Sequence, residues 1–208
     1  MSLVKKLEAA STVFFLCDLQ TRFRSAIFAF DDVVATANKM LKVANILGVP
    51  VVATVQNAKA LGPLVPELDL ESLGAQHIAT IDKTLFSMYN PEVKAILDAR
   101  LCKSVVLFGI ESHICVLQST LDLLEAGYDV HIIADGVSSC NKEEVPFALE
   151  RMRQAGAQIT TSESIAFQLQ RDSSGPTFKE FSKVIKNEKD TTIRVLQNLF
   201  SPVTKPNL

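Results

Sequence analysis

No excess of positive charge marks this chain: 21 lysines and arginines are set against 23 aspartates and glutamates, a formal net charge of −2. Such a surface offers no general attraction to a phosphate backbone. Nor is there a basic, aromatic-rich face of the kind that grips single strands, so no nucleic-acid partner is expected. Cysteine is sparse. The four present, Cys17, Cys102, Cys115 and Cys140, form no C-x-x-C pair, and a chain of 208 residues needs no disulfide staples. They read as reduced thiols in a cytosol-like compartment. Long apolar runs are lacking too; the longest stretches are about strand length, so no membrane span is expected. The opening "MSLVKKLEAASTVFF" has no apolar run of secretory length before Glu8. It also lacks arginine and carries an acidic residue, which gives a mitochondrial presequence little support. The expected location is cytoplasmic. Internal repeats and low-complexity linkers are absent.

What the chain does have is a 48% apolar content, enough for one globular domain with a large core. Short β-branched runs alternate with helical patterns. "TVFFLC" (Thr12 to Cys17), "PVVATV" (Pro50 to Val55), "HIATI" (His77 to Ile81), "SVVLFGI", "DVHIIA" (Asp129 to Ala134) and "AQITT" read as six strands. Between them, Val33, Ala37, Met40, Leu41, Ala44 and Leu47 recur at helical spacing and stop at Gly48, a left-handed cap. Asn90 caps "NPEVKAILDAR", with Pro91 at its first position. A helix begins near Ser112, and another covers "KEEVPFALERMRQAG". The alternation predicts a three-layer α/β/α fold around a six-stranded parallel sheet of Rossmann-like topology. It occupies residues 1–170. Residues 171–208 are expected to form a C-terminal helix and tail, with Phe178, Phe181, Val184 and Ile185 on one face, packing on the same domain or on a neighbouring subunit. The last dozen residues carry no clear signal.

In such sheets ligands bind beyond the carboxyl ends of the strands, so the residues just after each strand matter most. Asp18 follows the first strand, where a bare carboxylate is unfavourable unless something pairs it. Taken alone it reads equally well as a turn cap. Gln56 and Asn57 end the second strand. Lys83 follows the third; alone it reads as a solvated lysine. Cys115 falls in the first turn of the helix after the fourth strand; alone it reads as a small core residue. Together, a carboxylate, an ammonium and a thiol converge on one sheet edge. A free thiol with a pKa of about 8.5 is mostly protonated at neutral pH. A helix N-terminus and a nearby ammonium favour its anion, and Asp18 is placed to accept its proton.

The layout "FFLCDLQTRF", "DKTLFSM" and "LFGIESHICVLQSTLDLLEAGYDVHIIADGVSS" resembles the isochorismatase-like cysteine hydrolase superfamily, which includes isochorismatases, nicotinamidases and N-carbamoylsarcosine amidohydrolases. The resemblance covers roughly residues 11–170 and is nearest to the isochorismatase domain-containing proteins, through "FLCDLQ", "LGPLVPEL", "KTLFSM" and "RMRQAGAQITTSES". It implies an isochorismatase-like hydrolase domain with catalytic Asp18, Lys83 and Cys115. It also implies a cis peptide before the nucleophile, between Ile110 and Glu111. One departure matters. Nicotinamidases carry an Asp-x-His pair and a further histidine after the second strand to bind a divalent metal. Here the stretch reads "VQNAKALGPL", and His77 is the sole histidine between the second and fourth strands. No metal and no cofactor are therefore expected, and nicotinamide is disfavoured as substrate. His131 lies in a strand and reads as structural.

The reading implied is a metal-independent cysteine hydrolase that cleaves a small amide, carbamoyl or related substrate through a thioester-type intermediate. Backbone N–H groups at Glu111 and Cys115 would hold the oxyanion, each such donor being worth roughly 3 kcal/mol in other enzymes. Gln20, Phe23, Gln56, Phe86, His113 and Ile114 are the pocket candidates; for Phe23 and Phe86 core packing reads as well, and for Gln20 a structural hydrogen bond. Two alternatives stay open: acid-catalysed hydrolysis of an isochorismate-like ether, and a non-catalytic protein that assembles or binds a partner. Ribonuclease activity is disfavoured. The expected partners are a small-molecule substrate and copies of the chain itself, as a dimer or larger homo-oligomer.

Overall fold

Apolar, β-branched segments enter one sheet, and the amphipathic segments between them cover it on both sides. The structure is a computed structural model and describes residues 6–200. Its strands are β1 (Thr12–Cys17), β2 (Val51–Gln56), β3 (His77–Lys83), β4 (Ser104–Ile110), β5 (Asp129–Ser138) and β6 (Gln158–Thr160). Its helices are α1 (Phe30–Leu47), a single turn α2 (Ala58–Leu61), α3 (Pro91–Ala99), α4 (Leu117–Glu125), α5 (Glu144–Ala155), α6 (Ser162–Gln170), α7 (Phe178–Asn187) and α8 (Lys189–Phe200).

The sheet is all parallel, in the order β3-β2-β1-β4-β5-β6. The chain builds outward from β1 to β3, then crosses to the other side of β1 for β4 and builds outward again. The order therefore reverses between β1 and β4, the place where open α/β sheets form their ligand crevices. Side chains alternate between the two faces. Phe14 and Leu16 pack with Val33, Ala37, Met40 and Leu41 of α1, whereas Val13, Phe15 and Cys17 join Val93 of α3, Leu123 of α4 and Met152 of α5. Both faces are buried, which is why the strands read as continuous apolar runs instead of alternating ones. Phe14 and Phe108 meet edge to face across β1 and β4, 6.0 Å between centroids.

The expected caps form. Asn90 accepts a hydrogen bond from the Val93 N–H at 2.9 Å, and Gly48 ends α1 at φ 68°. Several boundaries differ from the sequence reading. β3 runs on to Lys83, which is the last residue of its strand instead of a loop residue; β2 runs from Val51 to Gln56, and β6 is only Gln158–Thr160. β5 continues past Ala134 to Ser138. The Asp135–Gly136 pair reads locally as a turn, yet Asp135 is buried and accepts hydrogen bonds from the N–H and hydroxyl of Ser162 at 2.7 and 2.5 Å. Gly136 lies so close to α1 and β4 that a Cβ there would stand 3.1 Å from Thr36 and 3.2 Å from Phe108.

The C-terminal segment forms two helices where one was expected. Phe181 of α7 is fully buried against Val43 of α1 and Ala166 of α6, with Phe178 and Ile185 beside it. α8 follows at once. It is tied to α1 by Arg194 and Asn198, which donate to the two carboxylate oxygens of Asp32 at 3.2 and 2.8 Å. Its Thr192 hydroxyl lies 3.0 Å from the buried ammonium of Lys39. Of the last dozen residues, 201–208 fall outside the described residues.

Candidate active site

The end of β1 is where the strand alternation breaks. Asp18 has a left-handed backbone, φ 50°, a conformation that Asp tolerates better than most residues. The chain turns there, so Cys17 and Asp18, though consecutive, reach into the same space; the Cys17 thiol donates to Asp18 Oδ2 at 3.6 Å. Asp18 is 1% exposed. Thr54 at the neighbouring position of β2 donates its hydroxyl to Oδ1 at 2.8 Å, and Lys83 donates its ammonium to Oδ2 at 2.7 Å.

Lys83 reaches that carboxylate from two strands away. It pairs in register with Gln56, whose side-chain oxygen takes a second ammonium hydrogen at 2.7 Å. The backbone carbonyls of Leu85 and Phe86 lie 3.2 and 3.0 Å from the same nitrogen. Burial alone would lower the affinity of this amine for its proton. The fields of Cys17, Asp18 and Cys115, with the hydrogen bond to Asp18, outweigh it, and the ammonium is held above its ordinary range. A buried carboxylate with three donors around it is thus matched by a buried cation with four acceptors.

Cys115 arrives from β4. The peptide bond between Ile110 and Glu111 is cis, as the resemblance implies. The chain then makes a wide π-type turn over Ser112–Val116, in which the Val116 N–H reaches back to the Glu111 carbonyl at 3.1 Å. Such turns recur at functional sites. Hydroxyls one turn on hold this one in place: Ser119 donates to the Cys115 carbonyl at 2.6 Å and accepts the Met88 N–H at 2.7 Å, while Thr120 donates to the Val116 carbonyl at 2.7 Å. The Cys115 sulfur, the Cys17 sulfur and an Asp18 carboxylate oxygen all lie within 4.8 Å of one another. Asp18, Lys83 and Cys115 are therefore brought together, each buried, at the reversal between β1 and β4.

The remaining pocket candidates separate. Gln56 is fixed by Lys83 and by donation to the Thr84 carbonyl at 2.9 Å. Gln20 is fully buried, with its amide donating to the Gln56 and Gly62 carbonyls at 3.1 and 2.7 Å and its oxygen accepting the Gln56 N–H at 2.7 Å. It clamps β2 to the loop after it and offers nothing to a ligand. Phe23 packs against the core on the α1 side. Phe86 is 50% exposed beside Leu85. His113 is half-buried, its Nδ1 2.9 Å from the Ser139 hydroxyl, and Ile114 packs in the core cluster that contains Cys115. His131 is buried within β5.

Among the described residues, two groups of side chains have the types and spacing of metal ligands. The first is Cys17, Asp18 and Cys115, but Lys83 already places an ammonium on that carboxylate, and a second cation beside it meets its charge. The second is Glu111, His113 and Cys140 on the outer side, where Glu111 also accepts the Cys140 N–H at 2.8 Å. Neither group was evident in the sequence. Cys17 read there as an ordinary reduced thiol, although its parity with Phe15 along β1 does put it on the face that carries Cys115. Burial first, then the hydrogen bond to Cys115 and the field of Asp18, push the Cys17 thiol well up, against the pull of Lys83.

The isochorismatase domain family model matches residues 12–164. Isochorismatase domain-containing protein 2 of Xenopus laevis is 46% identical over 186 residues, 88% of this chain and 87% of that protein. Among solved structures, the MAR1 ribonuclease of Caenorhabditis elegans superposes with a TM-score of 0.86 at 38% identity, covering 97% of this chain and all of that one. YcaC of Pseudomonas aeruginosa, solved with hexane-2,5-diol and covalent acrylamide, superposes with a TM-score of 0.81 at 25% identity, covering 93% of this chain and 96% of that one.

Proposed function

The chain belongs to the isochorismatase family, and from that premise we propose that it is a metal-independent cysteine hydrolase acting on small amides, carbamoyl compounds or related substrates. The observation that carries this is the position of the Asp18 carboxylate. It sits between the Lys83 ammonium, at 2.7 Å, and the Cys115 sulfur, within 4.8 Å. A buried thiol, a buried proton acceptor and a buried cation that balances the charge are the parts that nucleophilic acyl transfer needs.

Asp18 takes the Cys115 proton as the sulfur adds to the carbonyl or carbamoyl carbon. The backbone N–H groups of Glu111 and Cys115 receive the developing oxyanion. Asp18 returns the proton to the departing amine, which leaves a thioester on Cys115. It then takes a proton from water, whose oxygen attacks the thioester and frees the thiol. Lys83 keeps its proton throughout, so the charge of the site swings only between carboxylate and carboxylic acid. Gln56, His113 and Ile114, with the exposed Phe86 at the rim, face the substrate. The relative from P. aeruginosa was solved with covalent acrylamide; on this reading an acrylamide bond to the present chain forms at Cys115.

The test is competition among the four cysteines for limiting iodoacetamide, read by mass spectrometry. Cys115, only 7% exposed, is expected to outpace fully buried Cys17, half-buried Cys102 and exposed Cys140. A panel of small amides, carbamoyl compounds and nitriles then finds turnover that Cys115→Ala abolishes. Labelling of Cys115 no faster than Cys102, or turnover retained in Cys115→Ala, would falsify the nucleophile.

The likeness to the C. elegans ribonuclease carries a second reading, hydrolysis of RNA. A phosphodiester backbone gains little from a chain of net charge −2, and the candidate groups lie below the surface. Incubation of labelled RNA with the protein and with Asp18→Ala decides: cleavage by the first and none by the second establishes that activity in place of amide hydrolysis.

A further inference from the structure

The cysteine next to the catalytic aspartate has no part in the mechanism above, yet its sulfur lies within 4.8 Å of the nucleophile. We propose that Cys17 and Cys115 are a redox dithiol: a peroxide oxidises Cys115, and Cys17 resolves it to a disulfide that shields the nucleophile from irreversible oxidation. This rests on the reading of Cys115 as the reactive thiol.

Three observations carry it. Both cysteines are free, and their sulfurs lie within 4.8 Å of each other. Cys17 ends β1 in register with Gly109 of β4, and the π-type turn folds Cys115 back over that pair, so both sulfurs meet on the same face of the sheet. Cys17 has no exposed surface, so a substrate cannot reach it, while Cys115 keeps a small opening. That division fits a reactive thiol that meets solutes and a resolving thiol that meets only its neighbour. Cys140 groups with Glu111 and His113 instead.

The chemistry closes with peroxide as the oxidant. The Cys115 thiolate attacks one oxygen of hydrogen peroxide; the O–O bond breaks, hydroxide leaves, and Cys115 becomes a sulfenic acid. The Cys17 sulfur then attacks the sulfenic sulfur. The S–O bond breaks as the S–S bond forms, and the leaving hydroxide takes up the Cys17 proton, which Asp18 Oδ2 can relay from 3.6 Å. In sum two thiols lose two hydrogens, and peroxide is reduced to two waters. Without Cys17 the sulfenic acid lacks its neighbouring thiol and passes to sulfinic and sulfonic acid.

The full-length protein is treated with hydrogen peroxide, blocked with N-ethylmaleimide and cut by a glutamate-specific protease without reductant. Glu111 and Glu125 flank Cys115, so its peptide is free of Cys140. The expected product joins that peptide to the one containing Cys17, lighter by two hydrogens than the two thiol peptides together. Dithiothreitol restores both thiols and the fast iodoacetamide labelling of Cys115. Cys17→Ser and Cys17→Ala are expected to keep that labelling before peroxide but to lose its recovery afterwards, with Cys115 found as sulfinic and sulfonic acid. Wild-type protein that labels rapidly at Cys115 yet yields those acids with Cys17 still a thiol overturns the dithiol and leaves the hydrolase reading standing. A Cys115 that neither alkylates nor oxidises ahead of Cys102 overturns both.

Discussion

Asp18 and Lys83 form a buried pair whose members depend on each other, and single substitutions there should separate catalysis from stability. Asp18→Asn preserves shape and the hydrogen bond from Thr54 while removing the proposed proton acceptor. Turnover should fall by roughly 10²–10⁴-fold, with the fold intact by circular dichroism. Lys83→Met leaves the carboxylate buried without its cation, which costs about 3–5 kcal/mol in comparable cases. Urea unfolding should show that loss, and the double variant with Asp18→Asn should recover much of it. The pair also gives stability a pH dependence of known sign. Lys83 is held above its ordinary value in the folded chain, so the folded state binds the proton more tightly. Its contribution is fully present below about pH 10.4 and is lost as pH rises through the folded value. Unfolding at about pH 8 and about pH 11 should show a drop in the wild type that the double variant lacks. At this scale Asp18, Lys83 and Cys115 could be read from the chain because strand ends announce themselves. Cys17 and Thr54 could not, because their importance depends on which strands become neighbours.

The elements around the site are held by backbone as much as by side chains, and Gly109 shows this most clearly. It sits in β4 at φ 123°, and a Cβ there would stand 2.1 Å from the Cys17 carbonyl oxygen. No rotamer can relieve a clash with backbone. Gly109→Ala should push β4 from β1 just where Asp18 begins, with a loss of at least about 2 kcal/mol in urea unfolding and slower Cys115 labelling. Ser119→Ala tests the turn itself, since it removes the donor to the Cys115 carbonyl and the acceptor of the Met88 N–H together. A cost of about 1–3 kcal/mol is expected, with turnover reduced even where the protein stays folded. Strands and most helices were legible because fully buried parallel strands read as apolar runs and the caps at Asn90 and Gly48 are local. The wide turn at Ser112–Val116 was not, since nothing local distinguishes it from an ordinary first helical turn. The extension of β5 was hidden because the contacts that hold Asp135 and Gly136 in the sheet come from α1 and α6.

On the scale of the whole molecule, the sheet separates the site from the C-terminal helices. Cys115 and Cys17 lie in the core on the α3, α4 and α5 side, whereas α7 and α8 pack on α1 across the sheet. α8 escaped the sequence reading for a related reason: apart from Val195 it buries little apolar surface, and it is fastened through Asp32 and Lys39, residues of α1 far away in the chain. Phe181 concentrates the apolar part of that attachment, fully buried and edge to face with Phe167 at 5.1 Å. Phe181→Ala should therefore cost about 3–5 kcal/mol and lower Tm. The iodoacetamide rate at Cys115 should stay at the wild-type value at temperatures where the variant is folded, because α7 packs mainly on α1, α6 and α8. A rate that fell along with Tm would mean that the two faces act as one unit, and that the C-terminal helices help to set the shape of the site through α1.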